Sequence, residues 1–438
     1  MGHMPSRHEA GSHAHLARGG RTHAPGRRMG VHMVGIAILW IRDLFPYPLF
    51  LVLFAAVVGL YLIERVRHRR ALGQIPLRIH INGTRGKSSV TRLIAAGLRA
   101  GGIRTVAKTT GSAPRYIHPD GSEEPILRRG RANIREQIPT LVRAAAERAE
   151  ALVVECMAIR PDLQRVTEKK MIHATHGVIT NIRADHLDVM GPRLDNVATA
   201  LATTTPRSGK LFACHSRFDD YLRSEARRRN SELFVTMPDN YPTLEEMRGF
   251  DHIEVPDNVA LALDVCANLG VDRATALHGM HGVTPDVGAA IRIPLTREQK
   301  QIEFINAFAA NDQESTALVW KLIGMHQREG HEAGVLISNR GDRLRRAVDI
   351  ADAISEDIHA DWYVVAGDHA GTFIRLATRK GVPREKLIAM GDASPPAVLA
   401  KLFELTQRGA TVMGVGNMGG FGIEFIKLLE KERSAHAS

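Results

Sequence analysis

Residues 79–98 read IHINGTRGKSSVTRLIAAGL: a short strand-like run, a turn holding two glycines, then Lys87-Ser88 at the head of a segment with helical period. A strand that ends at Gly83, turns through Thr84, Arg85 and Gly86 and enters a helix at Lys87 aims backbone N–H groups and a helix N-terminus at one point. That arrangement holds an anionic phosphate. In the longer phosphate loops a glycine stands five residues before the Gly-Lys pair. Here that place is taken by Ile81, so the expectation is a compact loop whose leading strand still includes Ile81. Lys87 would face the β/γ-phosphates and the Ser88 hydroxyl a Mg²⁺ ion, with Ser89 behind it. The plain alternative is a glycine turn before an ordinary helix. Either way, the stretch commits the chain to a strand–turn–helix unit.

The text beyond it keeps that rhythm. LRIHING, IRTVAKTTG, EALVVECMAI, ATHGVITNIRADH, KLFACH and ELFVTMP read as strands, and KSSVTRLIAAGLRAGG, NIREQIPTLVRAAAERA and PDNVALALDVCANLGV as helices. Strands alternating with helices predict an α/β fold with a mainly parallel sheet. A Gly/Pro-containing connector at 282–288 marks a domain boundary. A second α/β unit follows, with KQIEFINAFA, AGVLISNRG, DWYVVAG, KLIAMGD and ATVMGVGN as strands. The expected organisation is a basic disordered tail at 1–28, a membrane anchor with a basic flank at 29–70, a phosphate-loop domain at 71–288 and a C-terminal Rossmann-like α/β domain at 289–438.

The anchor rests on two apolar runs, 29–41 and 44–63, divided by Arg42 and Asp43. The second is about long enough to cross ~30 Å of hydrocarbon. No small-residue cleavage site closes it, which predicts a retained anchor and not a signal peptide. The flank at 64–70, ERVRHRR, predicts that the following domains face the cytoplasm. The flank before the runs is basic too, and one span or a hairpin are both open. The formal net charge is +11, much of it in the first seventy residues. An acidic partner is therefore compatible, while a 5% aromatic content argues against base stacking on nucleic acid. Cys156, Cys214 and Cys266 lack metal-ligand spacing and fit a reducing compartment.

Ligand sites in parallel sheets gather at the carboxyl ends of the strands. Ser88, Glu155 and His186 all fall at such ends or in the loops after them, and together could surround a divalent metal beside a γ-phosphate. Glu155 ends an apolar strand, where an unpaired buried carboxylate is costly. His186 by itself reads equally as a structural histidine, and Asp185 and Asp188 as loop caps. Asn258, after Pro256-Asp257, is also a natural helix cap. Arg343 and Arg345 are either a solvated basic face or, for Arg343, a carboxylate clamp. The GNMGGFG stretch at 416–422 is a turn or a close approach to substrate.

These segments, in this order, resemble the Mur ligases and folylpolyglutamate synthases. GTRGKSS matches their short loop, ALVVECMAI the strand ending in a metal-binding acid, GVITNIRADHLDVMG the segment carrying a metal-binding histidine, and NRGDRLRRAVDIA a C-terminal-domain segment. The resemblance implies ATP bound by Gly83, Thr84, Arg85, Gly86, Lys87, Ser88 and Ser89. It implies adenine contact by Asn258, ribose contact by Asp312 in INAFAANDQEST, and a place near the reacting atoms for Asn133 in RANIREQ. It also implies Mg²⁺, or Mn²⁺ in its place, on Ser88, Glu155 and His186. Lys87, Glu155, His186 and Asn133 would then be the catalytic set. Within the family, the anchor, the Arg-Gly-Lys-Ser form and the KTTG and RRGRANIREQ segments resemble the ligase subunits of poly-γ-glutamate synthases. That implies glutamate and a poly-γ-glutamate chain as substrates, small membrane-protein subunits as partners and a place at the cell membrane.

Two features depart from the pattern. The family's carbamylated lysine would fall at Leu201, with no lysine between Leu187 and Gly209, and DVGAA stands where an adenosine-contacting Arg is expected. Other readings of the same residues are a folate- or peptidoglycan-type ligase and a membrane-bound NTPase switch or transport motor.

Overall fold

The computed structural model describes residues 46–111, 113–128, 130–285, 289–308, 310, 313–324 and 330–436. The expected tail at 1–28, the first apolar run and Asp312 lie outside them. By contacts the chain divides into Met1–Val66 and Arg67–Ser438.

In the first unit the described residues belong to the helix Pro46–Gln74, which continues into the second. Within Leu49–Gln74 its most apolar window has a mean hydropathy of 2.2, and among the described residues it is the one helix long and apolar enough to cross a membrane. Leu49, Phe50, Leu53, Phe54, Leu60 and Ile63 are all exposed, as side chains that face lipid would be.

The second unit holds two sheets. The first has eight strands: β1 (Leu77–Asn82), β2 (Thr105–Lys108), β3 (Arg115–Ile117), β4 (Glu123–Pro125), β5 (Ala151–Glu155), β6 (His176–Ile179), β7 (Lys210–Cys214) and β8 (Glu232–Thr236). Their order is β4-β3-β2-β5-β1-β6-β7-β8, parallel except for the β3–β4 edge. Parallel strands covered on both faces need apolar residues at nearly every position. β5 shows this, with Leu152, Val153 and Val154 having no measurable exposure, whereas β1 alternates the equally buried Ile79 and Ile81 with Arg78, His80 and Asn82. The helix Lys87–Ala100 places Val90, Leu93, Ile94 and Leu98 on one face by the three-to-four-residue period. That face joins a core with the helices Pro256–Asn268 and Arg273–His281.

The second sheet contains β9 (His252–Ile253), β10 (Ala290–Arg297), β11 (Lys300–Asn306), β12 (Glu332–Asn339), β13 (Trp362–Gly367), β14 (Leu387–Gly391) and β15 (Gly409–Gly416), in the order β14-β13-β12-β15-β11-β10-β9. Five of its strands are parallel, and β9 and β10 run antiparallel at one edge. Helices Leu344–Glu356 and Ala370–Arg379 cover one face and Pro395–Leu405 and Ile423–His436 the other. β9 precedes the 282–288 connector in sequence yet pairs with β10. It thus stitches the first domain's chain to the second sheet. The weak sequence signals of β3, β4 and β10 have local causes: the first two are three residues long, and β10 is interrupted by Pro294.

Candidate active site

β1 pairs with β5 so that Ile81 stands opposite Glu155. Because β5 lies beside β1 in the sheet, the carboxylate at the tip of β5 arrives next to the turn that leaves β1. The turn itself is held open by its glycines. Gly83 has φ +137° and Gly86 φ +77°; a Cβ would meet Thr180 Oγ1 at 2.0 Å in the first and Asn258 Oδ1 at 2.6 Å in the second. The helix then starts at Lys87, with Val90 N donating to Gly86 O at 2.9 Å.

The residues after β6 clamp the loop from outside. Thr84 Oγ1 donates to Asn181 Oδ1 at 2.6 Å, Arg85 N donates to the same oxygen at 3.0 Å, and Asn181 Nδ2 donates to Arg85 O at 3.0 Å. Thr180 Oγ1 donates to Arg85 O as well, at 2.5 Å. Arg85 itself reaches Asp185, Nε to Oδ2 3.4 Å. Lys87 Nζ rests on the carbonyls of Gly83 and Thr84 at 2.8 and 3.0 Å, inside the curve of the loop.

At the other wall, Ser88 Oγ donates to Glu155 Oε2 at 2.9 Å, and the same oxygen accepts from Thr110 N at 2.7 Å. Glu155 is buried, so these two donors answer the cost of its charge. Behind it lies Lys108, a lysine with no exposed surface. Its ammonium donates to Gln137 Oε1 at 3.1 Å and lies 3.4 Å from Glu136 Oε2, while Gln137 Nε2 donates to Glu155 O at 3.0 Å. Burial pulls the Lys108 pKa below its ordinary value, against the opposing pull of Glu136.

A cavity of about 240 Å³ opens beside the loop, lined by Arg85, Gly86, Asn181, Cys214, Asp257 and Asn258, with Leu318 of the helix Gln313–Gly324. Asn258 Nδ2 donates to Glu254 Oε1 at 3.0 Å, which fixes the amide against Gly86. It lies inside the first turn of its helix and does not cap it; Val255 takes that place. Burial raises the Asp257 carboxyl above the ordinary carboxylate range.

The expected site residues separate into those the fold gathers and those it does not. Gly83, Thr84, Arg85, Gly86, Lys87, Ser88, Glu155 and Asn258 converge on the loop, and Ser89 continues the first turn of its helix. His186 does not join Ser88 and Glu155. It adopts φ 49° at the start of the short helix Leu187–Met190, its side chain is 48% exposed, and its nearest acid is Asp185, Nε2 to Oδ1 3.8 Å. Among the described residues no group of three or more His, Cys, Asp or Glu side chains gathers as a metal cluster. Asn133 caps the short helix Ile134–Glu136: its Oδ1 accepts from Arg135 N at 3.0 Å and Glu136 Oε1 accepts from Asn133 N at 3.2 Å. It reaches the site through Glu136 and Lys108. Arg343 is exposed at the head of Leu344–Glu356, with Asp342 3.9 Å away.

Asn181, Thr110, Lys108 and Gln137 were not among the candidates, although KTTG and TNIRADH contain three of them. A buried lysine closing a strand is the signal that could have drawn attention to Lys108.

Residues 81–249 match the Mur ligase middle domain, and residues 293–432 match the poly-γ-glutamate synthase CapB C-terminal domain. The chain is 34% identical over 375 residues to PGA synthase CapB of Bacillus subtilis (strain 168), covering 85% of this chain and 95% of that one. It is 36% identical over 383 residues to the capsule biosynthesis protein CapB of Bacillus anthracis, covering 87% and 82%. Among solved structures it is similar to MurF from Acinetobacter baumannii, with a TM-score of 0.56 at 14% identity, covering 84% of this chain and 79% of that one. It is also similar to a bifunctional folylpolyglutamate synthase/dihydrofolate synthase with Mn, AMPPNP and L-glutamate bound, with a TM-score of 0.54 at 13% identity over 84% and 93%. At these identities the two structures speak for the fold alone.

Proposed function

From the premise that this chain belongs to the CapB poly-γ-glutamate synthases of the Mur ligase superfamily, we propose that it activates a glutamate-chain carboxylate with ATP and joins it to the amine of the next glutamate through a γ-linkage. It is an ATP-dependent amide-bond ligase; the division of labour within the site is our reading.

The observation that carries this reading is the Ser88–Glu155 contact directly behind a glycine-bent loop clamped by Asn181. The loop amides and the N-terminus of Lys87–Ala100 receive the phosphates, and Lys87 supplies the positive charge beside them. The cavity beside Gly86, floored by Asn258 and Asp257, takes the nucleoside. Asp312 remains assigned to the ribose by resemblance.

The Ser88 hydroxyl and the Glu155 carboxylate are hard oxygen donors 2.9 Å apart, a set that fits Mg²⁺ or Mn²⁺ better than a soft metal. When bound there, the cation would neutralise charge on the phosphate oxygens. His186 belongs to this proposal only through movement of its loop toward Glu155.

In the reaction, a carboxylate oxygen attacks the γ-phosphorus, ADP departs, and the carboxylate oxygen becomes part of a leaving group. The glutamate amine then attacks the acyl carbon, phosphate departs and the amine gives up a proton. The chain's own residues position the partners and answer the developing charge. Arg343 is assigned to the carboxylate of the incoming glutamate. In this reading the apolar helix Pro46–Gln74 anchors the enzyme in the membrane, the ligase domains face the cytoplasm and small membrane-protein subunits are its partners.

Lys87→Ala tests the reading. ATP-dependent incorporation of labelled glutamate into a γ-linked product is expected to vanish while the protein stays in the membrane fraction. Undiminished incorporation would refute the role given to this loop.

A further inference from the structure

The amino ends of the first sheet, opposite the phosphate loop, carry a recess that the ligase chemistry does not use. Its volume is about 760 Å³, and its walls come from the segments that enter β1, β6, β7 and β8. Arg78, Lys169, Lys170, Arg207, Arg228 and Arg229 line it. A second recess of about 230 Å³ continues from it, sharing Lys169, Arg228 and Arg229 and adding Arg165.

The two acids that line these recesses, Glu168 and Glu225, offset only part of this charge. Glu168 is buried and already engaged, accepting from Ala174 N at 2.9 Å and lying 2.8 Å from His80 Nδ1. Glu225 pairs with Arg228 at 2.5 Å, which leaves Arg78, Arg165, Lys169, Lys170, Arg207 and Arg229 as the positive groups of the tract. The positive groups are partly fixed by the backbone. Arg78 donates to the carbonyls of Leu72, Ile75, Ile172 and His173, and Arg229 donates to Thr205 O. Both guanidinium groups thereby keep their charge without a carboxylate partner in those bonds. Lys169, Lys170 and Arg207 are exposed around them. Like charges lining one recess repel one another, and a bound anionic ligand relieves that repulsion.

We propose that this tract binds the polyglutamate product. The inference rests on the γ-glutamate ligase reading above and deepens it. A γ-linked chain carries one free carboxylate per residue, so it presents a line of negative charge to a line of positive charge. The tract is concave and elongated over two adjoining recesses, which suits one flexible strand. A planar lipid surface would contact its rim and leave its floor empty. Arg78 and Gly83 lie at opposite ends of β1, about 17 Å apart at the rise of a strand. A chain held at the amino ends therefore stays on the enzyme between additions without occupying the ATP loop. The tract would retain the polymer and so lengthen the product.

The test uses the full chain in detergent and a fluorescent γ-linked glutamate decamer, read by anisotropy without ATP. Lys169→Glu, Lys170→Glu and Arg207→Glu combined are expected to weaken decamer binding about tenfold or more. The corresponding triple Gln variant should show a smaller loss, and both should melt with the wild type. Wild-type affinity should fall with added salt and rise with oligomer length. Product made by the variant in the presence of its membrane partners should be shorter. Unchanged decamer binding in the Glu variant overturns the proposal. So does a loss of binding to anionic phospholipid vesicles with decamer binding intact, which would assign the face to the membrane. Binding is read without turnover, so a wild-type enzyme that incorporates no glutamate would count against the proposed function and not against the tract.

Discussion

Ser88 Oγ and Glu155 Oε2 are 2.9 Å apart although 67 positions separate them in the chain. The contact joins the first turn of the loop helix to the tip of β5, and Thr110 N completes it from the neighbouring strand's loop. A carboxylate with two donors and, among the described residues, no lysine or arginine hydrogen-bonded to it is well prepared to accept a cation.

Glu155→Gln keeps the shape and the acceptor oxygen for Ser88 and Thr110 but removes the charge. The concentration of Mg²⁺ needed for half-maximal glutamate incorporation is expected to rise about tenfold or more. The melting temperature should change little. A Mg²⁺ titration of activity beside a thermal melt checks both halves.

Gly86→Ala forces an L side chain into φ +77° and sets its Cβ 2.6 Å from Asn258 Oδ1. The strain is expected to cost about 1–2 kcal/mol, and displacement of Asn258 should weaken nucleotide binding. Denaturant unfolding and titration with a fluorescent ATP analogue measure the two effects separately.

Lys108→Met removes the buried ammonium beside Glu136 and Gln137. Breaking one side of a buried pair should destabilise by about 3 kcal/mol, lessened here because Arg128 also holds Glu136. Adding Glu136→Gln to Lys108→Met should recover part of the loss. A double-mutant cycle in urea gives the coupling; strict additivity would show that the pair contributes nothing jointly.

For Asn133 the cap geometry predicts a graded series. Asn133→Ala should cost about 1 kcal/mol, and Asn133→Ser, which restores an accepting oxygen, should cost less. If Asn133 acts through this cap, incorporation of glutamate follows the same order. Loss of activity in both variants alike would assign it direct contact with substrate.

The pH dependence of stability has an identifiable contributor in His176. Burial, followed by the nearby Lys210 ammonium, lowers its pKa from 6.5 to about 4. Between those values the unfolded chain binds a proton that the native state does not, so stability falls as pH drops from 6.5 toward 4. His176→Phe, stacked like the imidazole on Phe212, should flatten that limb of the curve. Unfolding free energies across the window decide it.

Much of this architecture is legible in the chain itself. The loop boundaries, the alternation of strands and helices and the apolar run before residue 64 depend on local signals: glycine at positive φ, the helical period and continuous apolar content. The two short edge strands β3 and β4 do not stand out, because three residues cannot display a period. Asn133 illustrates a different gap. Its position near the site is written in the sequence, but its bond to Arg135 N makes it a cap whose influence passes through Glu136 and Lys108.

By itself, the sequence determined a phosphate loop on an α/β sheet, a second α/β domain and an apolar segment long enough to span a bilayer, since each follows from residues close together in the chain. The tertiary structure alone decided which distant side chains meet. Strand order sets β5 beside β1 and so brings Glu155 to Ser88. It sets β6 on the other side, so that Asn181 clamps the loop, while His186, itself in a left-handed conformation, keeps a half-exposed side chain. The same order lines the opposite end of the sheet with arginines and lysines drawn from four separate segments. Distances of this kind depend on the packing and register of whole strands, and no local pattern of residues encodes them.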